Sequence, residues 1–274
     1  MRYALIGHPL GHSLSPRLHQ LLARASGREI EYTLIDIPPE ALCARLPELL
    51  RTHAGLNVTI PHKQAVIPLL SRLDESAARY ASVNTIHFTG GESVGYNTDC
   101  TGFSRSIAAF PEPHSALIVG AGGVGRTFAI ELARRGCSVT LGVRTSSLAR
   151  GNALAAEITE RFGAAARVEE MGVLCREGGR FDLLANASPC GMFPHTNECP
   201  VSETLLSGCA AVFDSIYNPR RTRLLEMAER LGIPALGGMR MLAWQAAAAQ
   251  EIWIGAHFPA ETVERIAGEL EAEL

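Results

Sequence analysis

The chain has 274 residues, of which 47% are hydrophobic and 19% are charged; this composition excludes a disordered protein and, at roughly 150 residues per domain, predicts about two domains. The formal net charge is −3 and the sequence has no basic run, so we expect no nucleic-acid partner. No stretch of 18 apolar residues occurs, which predicts that no segment spans a membrane.

The basic residues divide very unequally between the two types. Of the 25 basic side chains, 24 are arginine and one is lysine, Lys63. A biased genome composition explains the arginines, which serve well as solvated cations, but it leaves the single lysine unexplained. A lysine amine can release a proton inside a protein, whereas an arginine guanidinium cannot. Lys63 is therefore the first candidate for a chemical role.

The cysteines and histidines indicate neither a disulfide framework nor a metal site. The seven cysteines are odd in number and include no C-x-x-C pair, which is typical of reduced thiols in a cytoplasmic protein. His8 and His12 have the i, i+4 spacing of metal ligands on a helix, but Pro9 and Gly11 predict a loop there, so we expect no metal. The apolar run at 3–6 lacks the features of a signal peptide, which also favours the cytoplasm.

Short apolar runs alternate with helix-length segments, a pattern typical of an α/β fold with parallel strands. In the first hundred residues the pattern predicts strands at 3–6, 31–36, 56–60 and 83–88, and helices at 15–26, 39–51 and 62–72. The pattern then restarts, with strands at 115–119, 138–143, 181–186, 210–214 and 233–236, and closing helices near 239–255 and 260–273. Breaks near 101–111 and at Gly237-Gly238 mark the predicted domain boundaries.

A glycine-rich loop follows the apolar strand at 115–119 and precedes a predicted helix. It fits the G-x-G-x-x-G pattern and consists of Gly120, Ala121, Gly122, Gly123, Val124 and Gly125. In this context the first glycine permits a tight turn, the second lets a pyrophosphate approach the backbone, and the third lets helix and strand pack closely. The alternative is a glycine-rich turn without a ligand. The sequence therefore predicts a dinucleotide-binding loop.

The choice between NAD and NADP is made at the end of the next strand, where an acidic residue would bind the ribose 2′-hydroxyl of NAD. No acidic residue occurs from 132 to 156, and the strand at 138–143 is followed by Arg144 and Thr145. A guanidinium and a hydroxyl suit a 2′-phosphate, which predicts NADP. Arg150 is better explained as a solvated surface charge.

Polar side chains cluster beside the predicted strand ends of the first hundred residues, in segments 11–16, 57–63, 84–85 and 97–99. Ligands of parallel sheets bind at the carboxyl ends of the strands, so a small polyhydroxylated substrate is expected there. Reduction of a ketone needs a proton for the new alkoxide, which a lysine beside an aspartate can supply. Lys63 and Asp99 are the candidates, although Asn97 and Asp99, like Ser13 and Ser15, also suit helix caps.

Over nearly its whole length, the sequence resembles the shikimate dehydrogenase family. The motifs that carry the resemblance are Gly11–Pro16, Asn57–Lys63, Val83–Thr85, Asn97–Asp99, the loop at 120–125, Asn186–Ser188 with Gly191-Met192, Asp214–Pro219 with Thr222–Leu224, and Met241-Leu242 with Gln245. The resemblance implies NADPH-dependent reduction of 3-dehydroshikimate to shikimate in aromatic amino-acid and chorismate biosynthesis. It also implies two domains: a mainly parallel α/β substrate-binding catalytic domain formed by 1–101 and 238–274, and a Rossmann-type doubly wound NADP-binding domain at 102–237.

The resemblance also implies roles for individual residues. Lys63 and Asp99 correspond to the catalytic pair. Ser13, Ser15 and Tyr217 correspond to the residues that hold the substrate carboxylate, and Thr59, Asn84, Asp99 and Gln245 to those that contact its hydroxyls. Ser188 and Gly237 join the glycine loop, Arg144 and Thr145 as cofactor-binding residues. We expect a monomer or homodimer.

Four departures from the family pattern accompany these matches, of which Ser82 in place of a usual alanine is benign. Val143 replaces the asparagine that often precedes the arginine, and Leu148 stands where a further basic residue is expected, so the clamp on the 2′-phosphate is thinner and the preference for NADP weaker. Gln250 replaces a common aromatic residue. The alternatives are a quinate/shikimate or aminoshikimate dehydrogenase of the same family, against which the two serines argue, and a non-catalytic NADP-binding sensor, which would need neither Lys63 nor Asp99.

Overall fold

The computed structural model describes residues 1–11 and 13–274, so His12 of the predicted 11–16 segment lies outside the described residues. The chain divides into two compact units: the first is Met1–Gly102 with Leu242–Glu273, and the second is Phe103–Met241 with Leu274. The boundaries predicted at 101/102 and 237/238 lie one and four residues away from these. The larger difference arises because the backbone at Gly238 belongs to the second unit, where its N–H donates to the Ile216 carbonyl at 2.9 Å.

The first unit contains a mixed sheet with the strand order β2-β1-β3-β5-β6-β4. Its strands are β1 (Arg2–Gly7), β2 (Glu31–Asp36), β3 (Gly55–Val58), β4 (Arg72–Leu73), β5 (Thr85–Thr89) and β6 (Glu92–Tyr96). The pairs β1–β2, β1–β3 and β4–β6 are parallel, whereas β5 runs antiparallel to both neighbours. β6 was not predicted, although the Gly90-Gly91 pair is a sequence signal of a β-hairpin. Both glycines have positive φ, at 60° and 85°, as the two-residue turn of a tight hairpin requires.

The helices of the first unit flank its sheet. They are α1 (Ser15–Ala25), α2 (Leu42–Thr52), α3 (His62–Ala65), α4 (Glu75–Tyr80) and α12 (Ala260–Ala272), with short 3-10 turns at Pro39–Ala41 and Ile67–Leu69. The helix predicted at 62–72 is wrong in length, because Pro68 lacks the N–H that would continue it. The boundaries between the units fall within α5 (Asp99–Ile107) and α11 (Met239–Ile254).

The second unit contains a fully parallel sheet with the order β12-β11-β10-β7-β8-β9. Its strands are β7 (Ser115–Val119), β8 (Ser138–Val143), β9 (Ala166–Glu170), β10 (Leu183–Asn186), β11 (Val212–Asp214) and β12 (Ala235–Leu236). Its helices are α6 (Gly123–Arg134), α7 (Leu148–Phe162), α8 (Met171–Glu177), α9 (Glu203–Leu206) and α10 (Arg223–Arg230), with a 3-10 turn at Thr145–Ser147. The strand order reverses at β7, which confirms the predicted Rossmann-type doubly wound topology.

Each unit has its own core. In the first, Ile6, Leu56 and Val58 of the sheet pack with Leu42 and Leu46 of α2 in one buried apolar cluster. In the second, residues of β7, β10 and β11 pack with those of α9 and α10. No helix in the described ranges combines the length and apolar character needed to cross a bilayer.

Candidate active site and cofactor-binding loop

The two residues proposed for proton transfer meet at one edge of the first unit's sheet. Lys63, in α3, donates from Nζ to Oδ2 of Asp99, the first residue of α5, at 2.6 Å. β3 and β6 are parallel to each other because both pair antiparallel with β5. The segments that follow β3 and β6 therefore leave the sheet at the same edge, and this brings together two residues 36 apart in sequence. The side chains are 16% and 11% exposed, so the pair is shielded but still reachable from solvent.

Asn84 fixes the second oxygen of the Asp99 carboxylate. The Asn84 amide donates from Nδ2 to Asp99 Oδ1 at 2.8 Å, and its Oδ1 accepts the backbone N–H of Thr98 at 2.7 Å. The same amide nitrogen lies 3.5 Å from Oε1 of Gln245, on α11. Each oxygen of Asp99 thus accepts a hydrogen bond from a different side chain. The carboxylate is held in one orientation by the Lys63 amine and the Asn84 amide, and Gln245 lies beside Asn84.

A buried polar network formed by Asn57, Thr85 and Tyr32 holds the backbone of Asn84 in place. Asn57, on β3, donates to the Thr85 hydroxyl at 3.1 Å and to the Asn84 carbonyl at 3.2 Å, and it accepts from the Tyr32 hydroxyl at 2.8 Å. Burial raises the pKa of Tyr32 well above its usual value, and the neighbouring Ser15 hydroxyl opposes this shift. Tyr32 was not singled out from the sequence, because a tyrosine within an apolar strand carries no signal of a polar role.

Ser13 and Ser15 form a separate hydroxyl pair at the start of α1. The Ser13 hydroxyl donates to Ser15 Oγ at 3.1 Å and accepts the backbone N–H of Ser15 at 3.2 Å. The N-cap residue of α1 is Leu14, without a side-chain cap, so neither serine is the N-cap residue itself. Asn97 does support a helix start, since its Oδ1 accepts the Cys100 N–H at 3.3 Å in the first turn of α5.

Thr59 and Tyr217, the other residues expected to bind substrate, belong to different units. Thr59 is half-buried just after β3 and four residues before Lys63, and its backbone N–H donates to the Ile6 carbonyl at 2.9 Å. Tyr217 lies in the second unit, three residues after β11, where burial raises its pKa. The described contacts therefore join Lys63, Asp99, Asn84 and Gln245.

The glycine loop of the second unit has the geometry of a dinucleotide-binding turn. Gly120 ends the extended run of β7 with φ +101°, a conformation that side chains rarely adopt. Gly122 is the N-cap residue of α6. A side chain at Gly125 would collide with the carbonyl oxygen of Gly120, whereas one at Gly122 or Gly123 would find no described atom within 4 Å.

These differences between the glycines test whether the loop suits NADP. The third glycine is needed so that α6 can pack against the strand end, and the two middle glycines leave open space at the helix N-terminus. That end carries unpaired N–H groups and a partial positive charge, which favour a pyrophosphate. The loop residues therefore fit a dinucleotide.

The residues predicted to select the cofactor follow β8. Arg144 is exposed at the end of the strand. Thr145 donates from Oγ1 to Oε1 of Glu170 at 2.8 Å. Glu170 was not singled out from the sequence, because it lies 25 residues further along the chain and only the pairing of β8 with β9 brings it here.

A buried carboxylate organises the loops after β10 and β11. Asp214 accepts from Asn186 Nδ2 at 3.0 Å, from the Ile216 N–H at 3.2 Å and from the Thr222 hydroxyl at 2.6 Å. Burial raises the pKa of Asp214 to about 6, and these three hydrogen bonds oppose the shift. Asn186 in turn accepts from the Ser188 hydroxyl at 2.7 Å, which orients that predicted cofactor residue.

Two further predictions concern Gly237 and metals. Gly237 packs near α10, where a side chain would come within 3.4 Å of Leu225 Cδ1. Across residues 1–11 and 13–274 no group of three or more histidine, cysteine, aspartate or glutamate side chains is placed to hold a metal ion.

Comparisons with known proteins address the family directly. The family model described as shikimate dehydrogenase substrate binding domain matches residues 5–86. The shikimate dehydrogenase (NADP(+)) of Methanopyrus kandleri is 38% identical over 94% of this chain and 92% of its own length. The chain belongs to the shikimate dehydrogenase family. A model described as ketopantoate reductase also matches residues 116–184, within the second unit.

Solved structures agree with this membership. The shikimate dehydrogenase from Thermus thermophilus, solved with NADP(H) and shikimate, is 34% identical over 98% of this chain and 99% of its own, with a TM-score of 0.85. The 5-ketofructose reductase of a Gluconobacter species is 26% identical over 98% of both chains, with a TM-score of 0.84. A protein named as a reductase of a different ketone therefore has a similar structure.

Proposed function

We propose that this chain catalyses the NADPH-dependent reduction of 3-dehydroshikimate to shikimate, a step of aromatic amino-acid and chorismate biosynthesis. The observation that carries the proposal is the 2.6 Å contact between Lys63 Nζ and Asp99 Oδ2, with Asn84 on the other carboxylate oxygen. The named activity of the relatives, shikimate dehydrogenase (NADP(+)), supports it.

Lys63 is the proposed proton donor. NADPH, when bound, supplies a hydride to the carbonyl carbon of the substrate, and the carbonyl oxygen then needs one proton to become the alcohol. The Lys63 ammonium releases that proton, and Asp99 keeps the amine in place before and after the transfer. In the reverse direction the neutral amine of Lys63 takes the proton of the alcohol. Overall, one hydride and one proton convert the ketone to the secondary alcohol.

The side chains around Lys63 suit a polyhydroxylated ring. Asn84 offers an amide group on the Asp99 carboxylate, and Gln245 offers another 3.5 Å from Asn84. Thr59 offers a hydroxyl near the end of β3. We assign these residues and Asp99 to the substrate hydroxyls. Ser13, Ser15 and Tyr217 are proposed to hold the substrate carboxylate through their hydroxyl groups.

The second unit supplies the proposed cofactor site. The loop from Gly120 to Gly125 would hold the pyrophosphate, and Arg144 with Thr145 the 2′-phosphate. Ser188 and Gly237 complete the assignment. We accordingly propose that the first unit, Met1–Gly102 with Leu242–Glu273, is the substrate-binding catalytic domain and that the second, Phe103–Met241, is the NADP-binding domain.

The chain is proposed to work in the cytoplasm as a monomer or homodimer. None of the seven cysteines, all of which lie in the described part of the chain, is in a disulfide. Free thiols are typical of a reducing compartment.

The test is an assay of cofactor reduction with paired substrates, followed through the absorbance of the reduced nicotinamide. We expect rapid turnover with shikimate and NADP⁺, and slower turnover with quinate and NAD⁺. Faster turnover with quinate would favour a quinate/shikimate dehydrogenase. Absence of turnover with every pairing, in a protein that still binds NADP⁺, would favour a sensor and overturn the proposal.

A further inference from the structure

The end of β9 brings an acidic residue to the proposed 2′-phosphate site. β8 and β9 are parallel, and Glu170 is in register with Val143, the residue before Arg144. Parallel strands end at the same edge of a sheet, so Glu170 lies beside the segment that begins with Arg144. Glu170 is distant from Arg144 in sequence and comes close to it only through the pairing of β8 with β9.

The contact between Glu170 and Thr145 is direct. Thr145 Oγ1 donates to Glu170 Oε1 at 2.8 Å. Glu170 is the N-cap residue of α8, but in the described structure its side chain makes no capping bond to that helix. Its carboxylate is directed to the hydroxyl that was expected to bind NADP.

This contact engages the donor that the phosphate needs. A threonine hydroxyl has one proton to donate, and a phosphate monoester near neutral pH carries a charge of about −1.5 to −2 and mainly accepts hydrogen bonds. While Thr145 donates to Glu170, it cannot donate to the phosphate. If the hydroxyl turns to the phosphate instead, a carboxylate remains next to a nearly doubly charged anion.

We propose that Glu170 lowers the preference of this enzyme for NADP over NAD, because its carboxylate competes for the Thr145 hydroxyl and repels the 2′-phosphate. The inference rests on the proposed function, in that it takes the cofactor to bind at the glycine loop. The same carboxylate can accept a hydrogen bond from the ribose 2′-hydroxyl of NAD. Glu170 thus supplies, from a third strand, the acidic group that the second strand lacks.

Positive charges nearby counteract Glu170 only in part. Arg144 is exposed beside it, where its attraction for a phosphate is screened by water and salt. Arg176, on α8, lies near the same place, since a side chain at Gly172 would be 3.5 Å from its Nη1 and 3.6 Å from Glu170 Oε1. The site therefore holds both signs of charge and accommodates either cofactor.

The test compares binding of NADP⁺ and NAD⁺ to the wild-type protein and to Glu170→Gln by titration calorimetry. Glutamine keeps an oxygen that can accept from Thr145, but it removes the charge and replaces the second oxygen with an amide nitrogen that donates. We expect the Kd for NADP⁺ to fall about tenfold, equivalent to about 1.4 kcal/mol, and the Kd for NAD⁺ to rise, because the ribose 2′-hydroxyl loses its charged acceptor. Adenosine 2′,5′-bisphosphate and 5′-AMP, used as fragments, should show the same contrast.

The control is Glu169→Gln, which removes the same charge one residue earlier on β9, where the side chain points to the opposite face of the sheet. It should leave both Kd values within about twofold of the wild type. Equal effects of Glu170→Gln on NADP⁺ and NAD⁺, or an effect of Glu169→Gln as large, would overturn the inference.

A second comparison tests competition for the hydroxyl. In the wild type, Thr145→Val should weaken NADP⁺ by less than about threefold, because the hydroxyl is engaged by Glu170. In Glu170→Ala the hydroxyl is free to donate to the phosphate, and Thr145→Val should then cost about tenfold. Equal costs in the two backgrounds would contradict the competition. Failure of the proposed function is a different result: the wild type would bind neither cofactor, or would bind NADP⁺ without oxidising shikimate.

Discussion

Lys63 is the residue on which the proposed chemistry depends most. Its amine is both a cation and a group that can give up a proton, and its contact with Asp99 keeps it in place. Lys63→Ala should reduce kcat by about 10²- to 10⁴-fold, the range typical of a lost general acid. The affinity for NADP⁺, measured by calorimetry, should stay within about twofold, because the cofactor loop is in the other unit.

Lys63→Arg separates the charge of Lys63 from its ability to release a proton. The guanidinium keeps the positive charge beside Asp99 but does not deprotonate. If Lys63 transfers a proton, the arginine variant should be nearly as inactive as the alanine variant in a steady-state assay. Near-normal turnover by Lys63→Arg would mean that only the charge matters.

Arg144 is the residue proposed to select the cofactor. It is exposed at the end of β8 and is the cation assigned to the 2′-phosphate. Arg144→Ala should weaken NADP⁺ by tenfold or more, by loss of a charge-assisted hydrogen bond worth roughly 1.5–3 kcal/mol, and should weaken NAD⁺ much less. Arg150→Ala is the matched control, since Arg150 is also exposed and was interpreted as a surface charge. An equal loss for both cofactors would contradict the assignment.

At the junction of β7 and α6, one glycine is needed for packing and another leaves space for the proposed cofactor. Gly125 has no room for a side chain because the Gly120 carbonyl lies against it, whereas Gly123 opens to free space. Gly125→Ala should lower the free energy of unfolding by about 1–3 kcal/mol, as overpacked sites do, and should lower the Tm in calorimetry.

Gly123→Ala is the matched control for that change. It adds the same methyl group in the first turn of α6 and should leave stability unchanged or raise it by up to about 1 kcal/mol, since alanine is the better helix former. Because the new methyl group would enter the space proposed for the pyrophosphate, NADP⁺ binding should weaken all the same. Similar losses of stability in the two variants would show that Gly125 has no special packing role.

The elements also show which parts of the fold could be predicted. The strands at 31–36, 115–119 and 138–143 were predicted with the bounds that the structure gives, because four residues of each are apolar or β-branched. β9 was missed, since only two of its five residues, Ala166 and Val168, are apolar, and such a segment has weak periodicity. Glu170, at the end of β9, was missed with it.

Among the buried titratable groups of the described residues, His19 in the first unit and Asp214 in the second respond to pH in opposite directions. His19, in the first unit, is fully buried and stacks on Tyr32 with ring centroids 4.3 Å apart. Burial lowers the pKa of His19 to about 3. As pH falls below the usual histidine value of about 6.5, the unfolded chain takes up a proton that the folded unit does not, so the contribution of His19 to the stability of the first unit is lost.

Asp214 acts in the opposite sense in the second unit. Because burial raises its pKa to about 6, the folded unit takes up a proton before the unfolded chain does as pH falls. Its contribution therefore favours folding at low pH and is lost as pH rises from about 4 to about 6.

Hydrogen exchange, followed by mass spectrometry in the full chain between pH 4 and pH 6.5, measures the two contributions separately. Each group should contribute a slope of up to about 1.4 kcal/mol per pH unit, with opposite signs. His19→Phe should remove its slope only from peptides of the first unit, and Asp214→Asn only from those of the second. Unchanged slopes in both variants would contradict the assignment of these groups.

By itself the sequence determined the alternation of strands and helices, the glycine turn after β7 and the presence of a single lysine. These are local properties, set by side-chain size, backbone freedom and residue type within a few positions. Only the tertiary structure decided that Lys63 contacts Asp99, that Asn84 holds the second carboxylate oxygen and lies beside Gln245, and that Glu170 reaches Thr145. Such contacts depend on which strands are neighbours and in which register, and strand pairing is settled by burial over the whole unit. The lone lysine was visible in the composition, but its 2.6 Å contact with a carboxylate 36 residues away exists only because β3 and β6 end at the same edge of a sheet.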